Sequence, residues 1–113
     1  KALKHIDFSE DGRIAWMSLP YEEVKSINAL DFHPEGIINY TRMIDGVEVG
    51  LLFRETEPGV IKIGFRSKGD TNVAAIAQAL NGGGHRQAAG ASQEGRLEEV
   101  REQVIKMVKD VIT

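Results

Sequence analysis

The chain has 113 residues, of which 42% are hydrophobic and 27% charged, with no cysteine and a formal net charge of −3. That balance describes one globular domain with its own core, and it excludes disordered, collagen-like and disulfide-stapled chains. It also excludes thiol nucleophiles, zinc–thiolate sites and a broadly basic nucleic-acid coat, and no apolar run approaches the about 20 residues of a membrane helix.

In chain order, Asp11-Gly12 marks a turn, and Arg13 to Leu19 reads as a short strand ended by Pro20. Tyr21 to Leu30 is expected to be a short helix with Val24, Ile27 and Leu30 on one stripe. A second helix is expected to start near His33-Pro34, because proline at the first helical position loses no hydrogen bond. Its predicted buried face is Ile37, Tyr40, Thr41 and Ile44, and Asp45-Gly46 closes it.

Val47 to Glu55 and Val60 to Ser67 form the strongest strand pair, with Glu57-Pro58-Gly59 as the turn between them. The apolar residues are Val49, Leu51 and Phe53 in one strand and Ile61, Ile63 and Phe65 in the other, all odd-numbered. They share a sheet face only if odd residues pair with odd ones, which favours a three- or five-residue loop. Arg54, Lys62 and Arg66 then share the opposite face with Gly50 and Gly64. Cations beside missing side chains suit an anionic ligand held close to the backbone, and the same pattern equally describes an ordinary solvated hairpin.

Asp70-Thr71-Asn72 supplies N-cap chemistry for a helix whose stripe is Val73, Ile76, Ala77 and Leu80, stopped by Asn81-Gly82. Ala88 to Ser92 is small and apolar, as in a short buried strand. Leu97 to Ile112 is the clearest helix, with Leu97, Val100, Val104, Val108 and Val111 as its stripe. Glu98 and Glu99 lead it and Lys106 and Lys109 trail it, which complements the helix dipole.

Asn81-Gly82-Gly83-Gly84-His85-Arg86 is the stretch most suggestive of chemistry. Successive glycine amides can form an anion-binding nest, with His85 at its edge and Arg86 adding charge. A glycine-rich helix stop followed by a surface histidine is the plain alternative. No Gly-Lys-Ser/Thr ending makes it a P-loop, and it follows a helix rather than opening one as a dinucleotide fingerprint does. Arg66-Ser67-Lys68-Gly69 lies at a strand end just before a helix, a second place for an anion. His5 and His33 are isolated, no residues show metal-ligand spacing, and no serine sits in a nucleophile elbow. A complete hydrolytic site is not visible.

Three segments together resemble the DHH-associated C-terminal domain, the substrate-binding domain of DHH-family phosphoesterases. They are Phe65-Arg66-Ser67-Lys68-Gly69, Val73-Ala74-Ala75-Ile76-Ala77 and Gly82-Gly83-Gly84-His85-Arg86-Gln87-Ala88-Ala89-Gly90. Glu35-Gly36-Ile37-Ile38-Asn39 and Leu52-Phe53-Arg54-Glu55 extend the resemblance, which runs from about Trp16 to about Ile112. The similar branch is the RecJ-like group, with nano-RNases, pAp phosphatases, cyclic-dinucleotide phosphodiesterases and exopolyphosphatase-related proteins.

The resemblance implies that Gly82, Gly83, Gly84 and His85 line a substrate cleft, that Arg66 and Ser67 contact substrate phosphate, and that Arg86 assists. It implies divalent manganese on a separate N-terminal domain, through Asp-His-His ligands that this chain lacks. The implied partners are a nucleotide or short oligonucleotide and the N-terminal DHH domain of the same polypeptide, with no membrane. Asn81 stands where many members carry a fourth glycine.

The expected fold is α/β, or α+β: a small mixed sheet with a central hairpin, flanked by about four helices. Residues 1–113 are expected to be one domain excised from the C-terminal part of a two-domain enzyme, since the first residue is Lys1 and not Met. The expected location is cytoplasmic, because Lys1 to Phe8 lacks the apolar core of a signal peptide and cysteine is absent. On this reading the isolated chain is inactive. The competing expectation is a non-catalytic nucleotide- or RNA-binding module, like the domain that ends alanyl-tRNA synthetases.

Overall fold

In a computed structural model, which describes residues 6–26 and 34–112, the chain builds one six-stranded mixed sheet with four helices. The elements are β1 (Asp7–Phe8), β2 (Ile14–Leu19), α1 (Tyr21–Ser26), α2 (Pro34–Arg42), β3 (Val49–Glu57), β4 (Val60–Ser67), α3 (Val73–Ala79), β5 (Gly83–His85), β6 (Ala88–Glu94) and α4 (Leu97–Ile112). Across the sheet the strands run β1-β2-β3-β4-β6-β5.

β2 and β3 are parallel, and every other pair is antiparallel. A parallel pair needs a long crossover, which the segment carrying α1 and α2 supplies. Both strands are apolar on both faces, as strands covered from two sides must be. Ile14, Ala15, Met17 and Leu19 of β2 are buried, and so is all of Val49 to Phe53 in β3.

The central hairpin keeps the predicted parity. Gly50 pairs with Arg66, Leu52 with Gly64, and Arg54 with Lys62. The turn itself is the tight Pro58-Gly59 pair, which opposes Glu57 to Val60 and alone would flip the parity. A bulge between Glu55 and Glu57 inserts one residue and restores it, so five residues separate the last regular pair, Glu55 and Ile61. The bulge carries β3 to Glu57, two residues past the sequence expectation.

Each sheet face has its own core. Val49, Leu51 and Phe53 of β3 join Ile61, Ile63 and Phe65 of β4 against Val73, Ile76 and Ala77 of α3 and Val100, Val104 and Val108 of α4. On the other face Met17, Leu19 and Leu52 pack under Ile37 and Ile38 of α2. Among the described residues that second cover reaches Gly64 of β4, where Ile38 sits, and leaves the rest of β4, β6 and β5 open.

The helical stripes differ in detail from expectation. α2 turns Ile37, Ile38 and Thr41 inward and leaves Tyr40 exposed, because the i, i+1, i+4 set faces the sheet. α4 buries Ile105 and Ile112 along with its central valines, while Val111 is 48% exposed on the adjacent flank. Ile27, Leu30, His33 and His5 lie outside the described residues. β1 adds a strand before the Asp11-Gly12 turn, and β5 is a strand where the glycine run predicts a loop. β6 buries only Ala89, since one of its faces is part of the open area. Among the described residues no helix is long and apolar enough to cross a membrane.

Candidate anion-binding site

Strand register decides what the open face carries. Three rows of directly opposed residues cross it. The first is Gly50, Arg66, Ala88 and His85; the second is Leu52, Gly64, Gly90 and Gly83; the third is Arg54, Lys62 and Ser92. Cationic or imidazole side chains thus flank a central row in which three neighbouring strands present only glycine. Along β4 the outer rows stand about 13 Å apart at the backbone, at about 3.3 Å per residue.

The β3, β4 and β6 parts of these rows around Gly64 and Gly90 floor a cleft of about 440 Å³ whose apolar wall is Ile38 and Leu52 and whose cations are Arg54, Lys62 and Arg66. Among the described residues no carboxylate lines it. Ile38 enters the space that a Gly64 side chain would occupy, so this glycine lets α2 close the wall. Arg66 donates from Nη1 to the Phe65 carbonyl at 2.9 Å, which ties one end of the guanidinium back to the strand, and its other N–H groups have no partner among the described residues. Arg54 and Lys62 make no hydrogen bond or ion pair with any described residue. Burial holds the Arg54 guanidinium below its ordinary pKa, yet such a group stays charged in a protein.

The Gly82–His85 segment is an edge strand and not a nest. Asn81 ends α3 in the left-handed region at φ 66°. Its N–H donates to Gln78 at 3.0 Å, and the Gly82 N–H donates to Ala77 at 2.7 Å, the paired bonds of a Schellman stop. Asparagine tolerates that conformation, so the fourth glycine is not required. Two of the three glycines are steric. A Cβ on Gly82 would overlap the Gly90 carbonyl oxygen, and one on Gly84 (φ 145°) would sit 2.5 Å from Ala89 Cα. Gly83 has nothing within 4 Å of such a Cβ. It alone lies in the central row of the open face.

The remaining expected residues divide clearly. His85 shares Arg66's row, two strands away, about 10 Å at the backbone, and is exposed just outside the cleft lining. Ser67 is 1% exposed and lies on the core side of β4, where its hydroxyl donates to the Thr71 carbonyl at 2.7 Å. Arg86 sits in the β5–β6 turn and donates from Nη2 to the Asp70 carbonyl at 3.0 Å. The same turn accepts the Ser67 N–H at Gln87 (3.0 Å) and the Val73 N–H at Arg86 (2.8 Å). Gln87 donates from Nε2 to Gly69 at 2.8 Å. Ser67, Arg86 and Gln87 therefore pin the turn to the 67–73 loop and so fix β5 beside β6.

Gly90 and Ser92 belong to the cleft but escaped the sequence reading. Their signal was parity, since Ala88, Gly90 and Ser92 are the small even-numbered residues of one strand. A larger cleft of about 730 Å³ lies between the 46–48 and 68–72 segments and the end of α4. Glu48 and Asp70 face Lys68 there, so its charge is mixed and does not select an anion. Among the described residues no three His, Asp or Glu side chains gather as a metal set.

Residues 34–113 match the DHHA1 domain profile. The chain is 32% identical over 114 residues to the bifunctional oligoribonuclease and PAP phosphatase NrnA of Thermus thermophilus, covering 100% of this chain and 33% of that protein. It thus spans about a third of the length of that relative. The structure of an exopolyphosphatase-related protein from Bacteroides fragilis superposes with a TM-score of 0.81 at 30% identity, over 95% of this chain and 31% of the other. The C-Ala domain of Aquifex aeolicus alanyl-tRNA synthetase superposes with a TM-score of 0.63 at 12% identity, over 94% of this chain and 97% of that one. This last likeness is one of fold alone.

Proposed function

This chain belongs to the DHHA1 domain family, and on that footing we propose that it is the substrate-binding domain of a DHH-family phosphoesterase. The observation that carries the proposal is the open sheet face, where Arg66 lies in a cleft that no carboxylate lines among the described residues, and His85 shares its row just outside that cleft. A phosphate there accepts hydrogen bonds from the Arg66 guanidinium and a ring N–H of His85. Charged bonds of this kind contribute about 1.5–3 kcal/mol each. Gly82 and Gly84 hold the edge strand tight, and Ser67 and Arg86 hold its turn. The substrate class is short oligonucleotides, pAp or related nucleotides, in keeping with the activities in the name of the Thermus relative.

Hydrolysis belongs to an N-terminal DHH domain of the same polypeptide, consistent with the one-third share that this chain has of its relative. Divalent manganese held there would supply an activated water and a clamp on the phosphate. The residues of this chain do not hold it; they bind and orient the phosphate that it would attack. In the full-length polypeptide, Arg66→Ala and His85→Ala are each expected to lower phosphoesterase activity at least tenfold while leaving the far-ultraviolet dichroism unchanged. Near-normal rates in both variants would overturn the assignment. This chain alone, supplied with manganese, is expected to show no turnover.

The C-Ala likeness favours one second reading, a nucleotide- or RNA-binding module with no hydrolytic partner, because a fold does not carry its chemistry with it. Nucleotide binding by a full-length polypeptide that hydrolyses none of these substrates with manganese is the outcome that selects it.

A further inference from the structure

Of the four asparagines in the chain, Asn81 alone precedes a glycine. It is exposed, and its side chain makes no hydrogen bond with any described residue. No Cβ on Gly82 crowds the nitrogen that follows, so this nitrogen can close on the Asn81 side-chain carbonyl carbon. The folded chain opposes that closure. Asn81 is held at φ 66°, and the Gly82 N–H is engaged by the Ala77 carbonyl at 2.7 Å. A nitrogen whose proton is held in this way does not attack. Gly82 also lies hard against β6, where the Gly90 carbonyl oxygen fills the space of a side chain. Reaction therefore waits until the end of α3 and β5 come apart. β5 is three residues long and pairs on one side only, with β6, and such an edge opens well before a core does.

We propose that Asn81-Gly82 is a deamidation site gated by the opening of β5, and that its isoaspartyl product unseats the edge strand. In the opened state the Gly82 nitrogen gives up its proton and bonds to Asn81 Cγ. The side-chain amide leaves with that proton as ammonia, and a cyclic imide joins residues 81 and 82. Water then breaks one of the two carbonyl–nitrogen bonds of the imide. Breaking the side-chain bond leaves an ordinary aspartate. Breaking the main-chain bond leaves isoaspartate, in which the chain runs through Cβ and is one atom longer. β5 cannot absorb that atom in place, because a single carbon added at Gly82 or Gly84 already overlaps the backbone of Gly90, Ala88 and Ala89. The pairing of Gly83 with Gly90, Gly84 with Ala89 and His85 with Ala88 is lost, and His85 leaves the row of Arg66. What that departure does to phosphate binding rests on the function proposed above; the modification itself does not.

The test ages this chain at mildly alkaline pH, native and in guanidinium. Mass spectrometry of the peptide containing residue 81 reads the conversion of amide to acid, and isoaspartyl methyltransferase labelling reads the rearranged product. Asn81 is expected to convert in both, at least tenfold more slowly in the native chain. Asn72, which precedes Val73 and accepts from the Ala75 N–H at 3.3 Å, is the internal control and stays an amide over the same period. Gln87→Ala removes an exposed bond to the Gly69 carbonyl that pins the β5–β6 turn, and is expected to speed native conversion about threefold to tenfold. Arg13→Ala removes bonds to Glu48 and Ile112 on the opposite side of the sheet. It is expected to lower the thermal midpoint and leave the native rate unchanged. Amide exchange across residues 83–85 is expected to quicken in the isoaspartyl form and not in Asn81→Asp.

No conversion in the native chain, or none in guanidinium, would overturn the site. Equal rates in the two states would overturn the gate, and so would an acceleration by Arg13→Ala as large as that by Gln87→Ala. Unchanged exchange across 83–85 in the isoaspartyl form would overturn the unseating of β5. If exchange quickens there while the aged full-length polypeptide keeps its phosphoesterase activity, the modification stands and the phosphate-binding role of His85 falls.

Discussion

Replacing each glycine of the edge strand by alanine separates steric glycines from the one that faces the ligand side. Gly84 has φ 145°, and an added Cβ would lie 2.5 Å from Ala89 Cα and 2.6 Å from the Ala88 carbonyl oxygen. Both neighbours are backbone, held in register by the β5–β6 pairing, and cannot swing away. A side chain in that glycine-only region costs about 1–3 kcal/mol, and the overpacking adds about 1–3 kcal/mol. Gly84→Ala is therefore expected to lose about 2–6 kcal/mol of stability. At about 4 °C per kcal/mol for a domain of this size, its midpoint falls by roughly 8–24 °C.

Gly83 has no atom within 4 Å of the added methyl and no positive φ. There the dominant effect is loss of unfolded-state freedom, so Gly83→Ala is expected to gain about 0.4–1 kcal/mol. Thermal unfolding of this chain, followed by circular dichroism, reads both. The two substitutions are chemically identical and adjacent, so opposite signs can come only from the register and the backbone angle. If Gly83→Ala is as damaging as Gly84→Ala, or if Gly84→Ala is neutral, the strand geometry argued above is wrong.

Two further outcomes test the loop and the outer hairpin. Ser67→Ala removes a buried hydroxyl that donates to Thr71 at 2.7 Å, and it is expected to cost about 1–3 kcal/mol in urea unfolding; an unchanged midpoint would mean that the turn is pinned without it. Asp11 has its pKa held below the usual 3.8, first by the Arg13 N–H and then by the Ser9 hydroxyl. A carboxyl whose folded pKa is lowered stabilises the protein above its unfolded value, and that contribution disappears as pH falls through the folded one. The difference in midpoint between wild type and Asp11→Asn is therefore expected to shrink below about pH 4, and a gap that stays constant down to acid pH would remove Asp11 from the account.

Periodicity made most of the fold legible. Alternation gave β3 and β4, and the 3.6-residue stripe gave α3 and α4, because both patterns are imposed by one large core on the inner face. The parity of the hairpin gave more, since it placed Arg54, Lys62 and Arg66 on one face before any contact was known. The bulge that preserves this parity was not legible, because Thr56 looks like any other strand residue. β5 was missed because glycine carries no periodicity. Its strand state is imposed from outside, by pairing with β6 and by the Ser67, Arg86 and Gln87 bonds that fix the turn. Ser67 and Arg86 appeared as phosphate ligands by their position in a motif. Only the long-range bonds reveal that their polar atoms are engaged on the backbone of the 67–73 loop.

What the sequence rules explain least marks the cleft most clearly. A strand pair in the middle of a sheet ordinarily avoids glycine, like charges opposite one another and half-buried cations without acids. β3 and β4 do all three on one face, at Gly64, at Arg54 opposite Lys62, and at Arg54 itself. On the other face the same strands carry an ordinary apolar core. Gly64 answers a folding demand, since Ile38 of α2 fills the space its side chain would take, whereas packing does not call for the opposed cations. An anion bound across these rows would relieve the repulsion and neutralise the desolvated guanidinium together. Arg54→Met should accordingly raise the thermal midpoint of the ligand-free chain, and a lower midpoint would show that Arg54 serves the fold after all.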